Sequence, residues 1–130
     1  MINLDQSRMR EALRNGTTHM EVKSGYGLDT ETELRLLQIG EDISKIDNLP
    51  SLDLTWLGAH AAPPGCSLDD YYEEIMSEQL PAVLDQGIAR SADVFCEPGW
   101  FSTEQTEDIL KSSQSLEIYL LQTTSLKQHL

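Results

Sequence analysis

The chain has 130 residues, and its 22 Asp and Glu outnumber its 9 Lys and Arg, which gives a formal net charge of −13. This balance argues against nucleic acid as a partner, because phosphates are held mainly by clustered Lys and Arg. The apolar runs end well short of the roughly 18 residues that a bilayer crossing needs, and residues 1–14 carry too many charges for a signal peptide. We expect one domain, or part of one, from a soluble cytoplasmic protein without a membrane partner.

The first half of the chain alternates helix and strand signals. Residues 5–14 predict a helix with one apolar side, and residues 17–23, which are rich in β-branched side chains, predict a strand. A second helix is expected from Thr30, because Thr30 and Glu33 have the spacing of a capping box. Pro50 ends that helical unit.

The second half continues the alternation. Strands are predicted at 52–57, 92–96 and 116–121, and helices at 67–87 and 102–110. Ser67 with Asp70, and Ser102 with Gln105, have capping spacing at the starts of these helices. The longer helix should kink or restart at Pro81, because proline lacks the amide donor.

Strands separated by capped helices indicate right-handed βαβ units on a parallel α/β sheet. The apolar strands are expected to be buried on both faces, as parallel sheets require. Two arrangements fit the pattern, namely a doubly wound open sheet and part of a (β/α)₈ barrel, which normally needs about 250 residues. The alternation alone does not choose between them.

Polar side chains follow three of the predicted strands, where both arrangements place their functional residues. These are Lys23, Ser24, Tyr26, His60 and Glu97. We expect the phenol of Tyr26, the imidazole of His60 and the carboxylate of Glu97 to reach one edge of the sheet. His60 is the strongest candidate, because an imidazole can accept or donate a proton near neutral pH.

Other candidate sites lack part of the required pattern. Gly25-Tyr26-Gly27 begins like a dinucleotide fingerprint, but Thr30 stands at the third glycine position. The histidines lack zinc-ligand spacing, and Cys66 and Cys96 do not form a Cys-x-x-Cys pair. A Cys96 nucleophile served by His60 would need a third orienting group, which the sequence does not reveal.

The run KSGYGLDTETEL at residues 23–34 is the first of several sequence blocks that all resemble one protein family. The others are GTT at 16–18, LGAHA at 57–61 followed by Pro63-Pro64, LPAV at 80–83, DVFCE at 93–97, and Phe101-Ser102. In this order they closely resemble the imidazolonepropionase family, metal-dependent hydrolases of the amidohydrolase superfamily that act in histidine degradation. The resemblance covers about residues 9–114. We expect residues 1–130 to form a single partial domain.

This resemblance implies that the strands are consecutive strands of a (β/α)₈ TIM barrel. It also implies that the loop tyrosine Tyr26 and the histidine His60 contact the imidazolone substrate and the formimidoyl product. Glu97 matches a family glutamate for which a structural role at the strand end is expected. The implied reaction is hydrolysis of 4-imidazolone-5-propanoate to N-formimidoyl-L-glutamate by a metal-bound water.

The metal ligands of the resembling family are missing from this chain. The family holds zinc or iron with a His-x-His pair, a histidine at a strand end and an aspartate, and here Leu121 stands at the expected histidine position. The tail at 115–130 looks diverged, as a frame error or gene remnant would leave it. We therefore expect no catalytic or metal residue in this chain, and we keep open a truncated, catalytically inactive chain. Unpaired edges of a partial barrel would also favour association into a homo-oligomer.

Overall fold

The structure is a computed structural model that describes residues 2–114 and 119–120. Helices and strands alternate as predicted, in the order α1 (Ile2–Arg14), β1 (His19–Lys23), α2 (Thr30–Ser44), β2 (Ser51–Ala59), α3 (Leu68–Glu74), α4 (Leu80–Gln86), β3 (Ser91–Val94), α5 (Thr103–Ser113) and β4 (Tyr119–Leu120). Compared with the predictions, β1 begins later, β2 is longer at both ends and β3 ends earlier. Most of the predicted last strand, and the predicted ligand position Leu121, lie outside the described residues.

Two helix starts confirm the predicted caps. The Ser67 hydroxyl accepts a hydrogen bond from the Asp70 amide at 3.1 Å. At the start of α5, the Ser102 hydroxyl accepts from the Gln105 amide, and the Gln105 side chain accepts from the Ser102 amide. These reciprocal bonds satisfy amides that have no partner within the helix.

α2 begins at Thr30 as predicted, but its cap differs from the prediction. Its N-cap is Asp29, whose carboxylate accepts a hydrogen bond from the Thr32 amide at 2.8 Å. This backbone hydrogen bond holds the pKa of Asp29 below its ordinary value. The predicted capping box of Thr30 and Glu33 is wrong, because Asp29 supplies the cap and the Glu33 side chain bonds to the preceding loop.

The predicted kink or restart at Pro81 is confirmed. A π-helical turn at Ile75–Gln79 joins α3 to α4, and the Leu80 amide donates to the Ile75 carbonyl. Pro81 is the second residue of α4, where the wider π-helical turn before it accommodates a residue without an amide donor. Gly87 ends α4 with a φ of 67°, a left-handed conformation that glycine adopts without strain.

The four described strands are parallel and lie in the sequential order β1-β2-β3-β4. The intervening helices pack against one another in sequence, α2 against α4 and α4 against α5. Right-handed crossovers between neighbouring strands place their helices on one face of the sheet. Within the described strands, the order lacks the reversal that defines a doubly wound sheet, and it is consistent with part of a (β/α)₈ barrel.

The two faces of the sheet differ in polarity, and the prediction that the strands are buried on both faces holds only in part. All four residues of β3 are buried, whereas alternate residues of β1 are exposed. Leu54 packs against Gly40 of α2, and Trp56 lies with it on the helix-facing side. The opposite side, here named the polar face, carries His19, Glu21, Lys23, Ser51, Asp53, Thr55, Ser91 and Asp93. The physical reason is the two-residue period of strands, which sends alternate side chains of these sequences to opposite faces.

The core lies between the sheet and its helices. Its largest fully buried side chains include Trp56 of β2, Tyr71 of α3 and Phe101, which precedes α5. Gln79 of the π-helical turn accepts a hydrogen bond from the Trp56 indole at 3.0 Å and donates to the Tyr71 hydroxyl at 3.2 Å. Among residues 2–114 and 119–120, no helix is long and apolar enough to cross a membrane.

Candidate functional site

A cleft of about 460 Å³ lies at the carboxyl ends of β1, β2 and β3. It is lined by Lys23, Ser24, Tyr26, Leu57, His60, Ala61, Phe95 and Trp100. Four of the five polar residues predicted to meet at this edge are therefore brought together, the exception being Glu97. The loop after each strand contributes to the cleft because the strands are parallel and all end on the same side.

Tyr26 and His60 face each other across this cleft. Their ring centroids are 6.1 Å apart, and the rings meet edge to face at 60°. The Tyr26 side chain is 92% exposed, whereas His60 is only partly exposed. The His60 Nε2–H donates to the carbonyl oxygen of Gly25, so in the neutral ring Nδ1 is the acceptor. A phenol and an imidazole acceptor are thus presented to the same space.

The loop that carries Tyr26 is anchored to β2. The Ser24 amide donates to the Thr55 carbonyl at 3.0 Å, and the Ser24 hydroxyl accepts from the Leu57 amide at 3.1 Å. Gly25 has a φ of +109°, and a Cβ there would lie 2.7 Å from the Leu57 carbonyl oxygen. A residue with a side chain would therefore be strained in conformation and would also clash with β2.

Glu33 of α2 anchors the same loop from the other side. Its fully buried carboxylate accepts from the Gly25 amide at 2.8 Å and 3.0 Å and from the Gly27 amide at 2.8 Å. The sequence pattern does not predict this role, because Glu33 also has the spacing of a helix cap. A signal was present in the sequence, since the loop offers glycine amides six and eight residues before an acidic side chain.

Lys23 reaches the cleft from the polar face of the sheet. Its ammonium group lies 2.6 Å from the carboxylate of Asp93, whose side chain is only 5% exposed, and 3.7 Å from that of Glu21. Burial alone would lower the pKa of Lys23, but the hydrogen bond and attraction of Asp93, with a smaller effect of Glu21, raise it overall. Lys23 is therefore a fixed cation at the floor of the cleft.

Phe95 and Trp100 form an aromatic wall that the sequence analysis did not identify. Their rings meet edge to face with centroids 5.6 Å apart, and the side chains are 41% and 46% exposed. With Tyr26, they are the exposed large hydrophobic side chains of the described residues, and all three line this cleft. Exposed aromatic residues gathered in one place are typical of a binding site.

Glu97 and Cys96 lie in a neighbouring cleft of about 420 Å³, which also includes Trp100. Neither residue lines the cleft of Tyr26 and His60. Glu97 therefore follows β3 at the predicted edge of the sheet, but it lines the adjoining cleft, and Trp100 is shared by both clefts. The arrangement also gives no support to a Cys96 nucleophile served by His60.

The described residues do not fit a metal ion. Among them, no group of three or more His, Cys, Asp or Glu side chains is placed to hold one. His19 begins β1, at the end of the sheet opposite His60, and it bonds Ser51 at 2.7 Å and Asp53 at 3.2 Å. His60 is held by the Gly25 carbonyl. No chemical step through a metal is derived from this part of the chain.

Comparison with known proteins identifies relatives of one kind, although no family model matches the chain. An imidazolonepropionase of Haloarcula marismortui is 48% identical over 103 residues, which is 77% of this chain and 24% of that protein. Imidazolonepropionases of Shewanella sediminis and Shewanella putrefaciens are each 40% identical, over 88% and 92% of this chain and 28% and 30% of theirs. The chain spans 24% to 30% of the length of these relatives. It thus belongs, as a partial sequence, to the imidazolonepropionase family.

Proposed function

We propose that this chain supplies part of the substrate site of an imidazolonepropionase, which hydrolyses 4-imidazolone-5-propanoate to N-formimidoyl-L-glutamate. Tyr26 and His60 are the proposed substrate-binding residues. The observation that carries the proposal is their meeting in one cleft at the carboxyl edge of the sheet, within a sequence of this family. The volume of about 460 Å³ is in the range of small-molecule sites.

The chemistry of the cleft suits a planar ring with polar edges. The Tyr26 hydroxyl can donate a hydrogen bond to the ring carbonyl of an imidazolone, and the Nδ1 atom of neutral His60 can accept one from a ring N–H. The rings of Phe95 and Trp100 supply an apolar wall for the face of the substrate. Donors fixed before the reaction can also stabilise charge that develops on the ring oxygen.

Hydrolysis also needs an activated water molecule, and we do not assign this role to the described residues. The family resemblance implies zinc or iron for that purpose, but these residues do not fit a metal. The part proposed for this segment is to bind and orient the substrate. Accordingly, no residue here is named as general base or metal ligand.

The setting of this segment follows from the same proposal. The sequential parallel strands support their place in a (β/α)₈ barrel. The free thiols of Cys66 and Cys96 support a cytoplasmic location, since reducing compartments keep cysteines unpaired. The proposed partner is a small molecule and neither nucleic acid nor membrane, in line with the net charge of −13.

We also propose that the isolated chain associates with itself. Among the described strands β1 pairs only with β2, so its other edge is open to a further strand. Sedimentation velocity over a hundredfold concentration range should show larger species as concentration rises. The net charge of −13 opposes this association. A single monomeric species at all concentrations would contradict the proposal.

A segment exchange tests the proposed function. Residues 9–114 of this chain would replace the aligned segment of the Haloarcula marismortui enzyme, and turnover of 4-imidazolone-5-propanoate would be followed by ultraviolet absorbance. We expect the folded chimera to hydrolyse the substrate. A chimera that folds and retains its metal but shows no turnover would overturn the proposal and favour the alternative, a catalytically inactive chain.

A further inference from the structure

A buried carboxylate needs hydrogen bonds or a counter-charge to offset the cost of leaving water. Glu33 is fully buried, and its carboxylate accepts hydrogen bonds from two backbone amides of one loop. The carboxylate of Asp93, near the cleft, is also strongly buried, and it forms an ion pair with the Lys23 ammonium group at 2.6 Å. The Glu33 carboxylate instead accepts from the backbone amides of Gly25 and Gly27, the residues on either side of Tyr26.

The amides of Gly25 and Gly27 both point at the Glu33 carboxylate, and this fixes the Ser24–Gly25 and Tyr26–Gly27 peptide units, which flank the Gly25–Tyr26 unit. The space around Gly27 is closed by the same contact, since a Cβ there would lie 2.9 Å from Glu33 Oε1 and 2.8 Å from Thr32 Cβ. Glu33 holds the residues on either side of Tyr26, and the Tyr26 side chain points outward, where it is 92% exposed. Charge-assisted hydrogen bonds of this kind are about twice as strong as neutral ones.

The same carboxylate acts on His60 through the backbone of Gly25. The Gly25 amide donates to Glu33, and the Gly25 carbonyl, in the next peptide unit, accepts from His60 Nε2. Glu33 therefore holds in place the residue to which His60 is bonded. Because a carbonyl can only accept, the Gly25 carbonyl selects the His60 tautomer that carries its proton on Nε2 and leaves Nδ1 as acceptor.

We propose that Glu33 is a positioning residue for the Tyr26–His60 pair, which holds both rings in the cleft through the backbone of Gly25 and Gly27. This inference rests on the proposed function only for the identity of the ligand. The predicted arrangement of the Tyr26 and His60 rings can be measured in the chain without any ligand. Glu33 touches neither ring, so it acts on the site through the loop.

The first measurement needs no variant. In the 130-residue chain, the amides of Gly25 and Gly27 should exchange with solvent at least about tenfold more slowly than those of Gly65 and Gly99, two turn glycines without close neighbours. Hydrogen exchange followed by NMR measures all four. Equal rates would overturn the proposal, whatever the variants do.

The second measurement compares Glu33→Gln with Glu31→Gln. Glu31 lies on the same first turn of α2 but is exposed, so its substitution makes the same change in charge without the loop contact. In folded Glu33→Gln we expect the nuclear Overhauser contacts between the Tyr26 and His60 rings to weaken and the Gly25 and Gly27 amides to exchange faster. Glu31→Gln should match the parent chain. Unchanged ring contacts in Glu33→Gln would overturn the proposal.

The third measurement uses 3-(imidazol-4-yl)propanoate, a stable planar probe, titrated into the same chains. Glu33→Gln should weaken its binding by about tenfold or more, and Glu33→Asp, which keeps the charge, should recover part of the loss. A purely structural role would lower stability without changing the affinity of the remaining folded protein. If the parent chain does not bind the probe while the ring contacts still depend on Glu33, the ligand assignment fails and the positioning role stands.

Discussion

Lys23 and Asp93, 70 positions apart in the chain, form an ion pair of 2.6 Å that links β1 to β3 across the polar face of β2. Asp93 is almost fully buried and Lys23 is about one-third exposed at the floor of the cleft. Thr55 of the intervening strand donates to Glu21 at 2.7 Å on the same face. The strand ends that carry the cleft loops are therefore joined by polar contacts as well as by the sheet.

Removing the cation of this pair should destabilise the fold. Lys23→Met leaves the buried Asp93 carboxylate without its ammonium partner, and loss of a hydrogen bond to a charged group typically costs about 1.5–3 kcal/mol. Urea unfolding measures the change. The control is Lys45→Met, which breaks an exposed pair with Glu41 and should cost less than about 0.5 kcal/mol. Equal losses in the two variants would contradict a special role for the Lys23 pair.

Tyr71 should make the fold sensitive to alkali. Burial raises the pKa of Tyr71 to about 12, against an ordinary value of 10.0 in the unfolded chain. Because the unfolded state releases this proton first, the stabilisation is fully present below pH 10 and is lost as the pH rises to about 12. A two-unit difference in pKa corresponds to about 2.7 kcal/mol.

Tyr71→Phe tests this linkage because phenylalanine does not ionise. Urea unfolding at pH 9 and at pH 11.5 should show a smaller alkaline loss of stability in the variant than in the parent chain. At pH 9 the variant loses the hydrogen bond that Gln79 donates to the hydroxyl at 3.2 Å and the longer one, of 3.4 Å, that the hydroxyl donates to the Gly58 carbonyl, at about 1 kcal/mol or less each. An identical alkaline loss in both proteins would show that Tyr71 does not titrate as stated.

Features that depend on neighbouring residues were predictable from the sequence. The caps at Ser67 and Ser102 and the helix restart at Pro81 are set within a few residues, so their local patterns carry the information. The order of helices and strands follows from alternating periodicity and is confirmed. The polar face is harder to predict, because residues 52–57 resemble an apolar run, although Asp53 and Thr55 alternate with apolar residues there.

The candidate site was predicted in part for a similar reason. Parallel strands end on one side, so the meeting of Tyr26 and His60 follows from topology. The carboxylate of Glu33 bonds amides six and eight residues away, and the exposure of Phe95 and Trp100 depends on the course of a loop. Such contacts are set by the folded chain, and neither periodicity nor capping spacing encodes them.

Gly58 should not tolerate a side chain. A Cβ at this position would lie 1.9 Å from Gln79 Oε1 and 2.6 Å from the Trp56 indole nitrogen, two atoms that share a hydrogen bond. Gly58→Ala should therefore cost about 3 kcal/mol or more and alter the fluorescence of buried Trp56. The control Gly65→Ala meets no atom within 4 Å and should cost only about 1 kcal/mol for its positive φ. Similar losses in both variants would contradict the crowding at Gly58.

The purified 130-residue chain should hold no stoichiometric zinc or iron. The described His, Cys, Asp and Glu side chains form no group suited to a metal, and Leu121, outside the described residues, replaces the histidine that the family resemblance implies. Elemental analysis after dialysis against either metal measures the content. One tightly held ion per chain would show that ligands have been misassigned.

The two proposed substrate-binding residues should differ in their kinetic effects when tested in the chimera with the Haloarcula marismortui enzyme. His60→Ala removes the Nδ1 acceptor that orients the substrate ring, and misplacement of a substrate by about 1 Å can cost roughly a hundredfold in kcat. Tyr26→Phe deletes one hydroxyl, so if that group binds substrate and transition state equally, KM should rise more than kcat falls.

Tyr72→Phe is the matched control, because its hydroxyl contacts Asp108 outside the cleft, and it should leave kcat and KM unchanged. None of the three variants should change the metal content of the chimera. Unaltered kinetics in both His60→Ala and Tyr26→Phe would show that neither residue contacts the substrate, and loss of metal in either would identify an unexpected ligand.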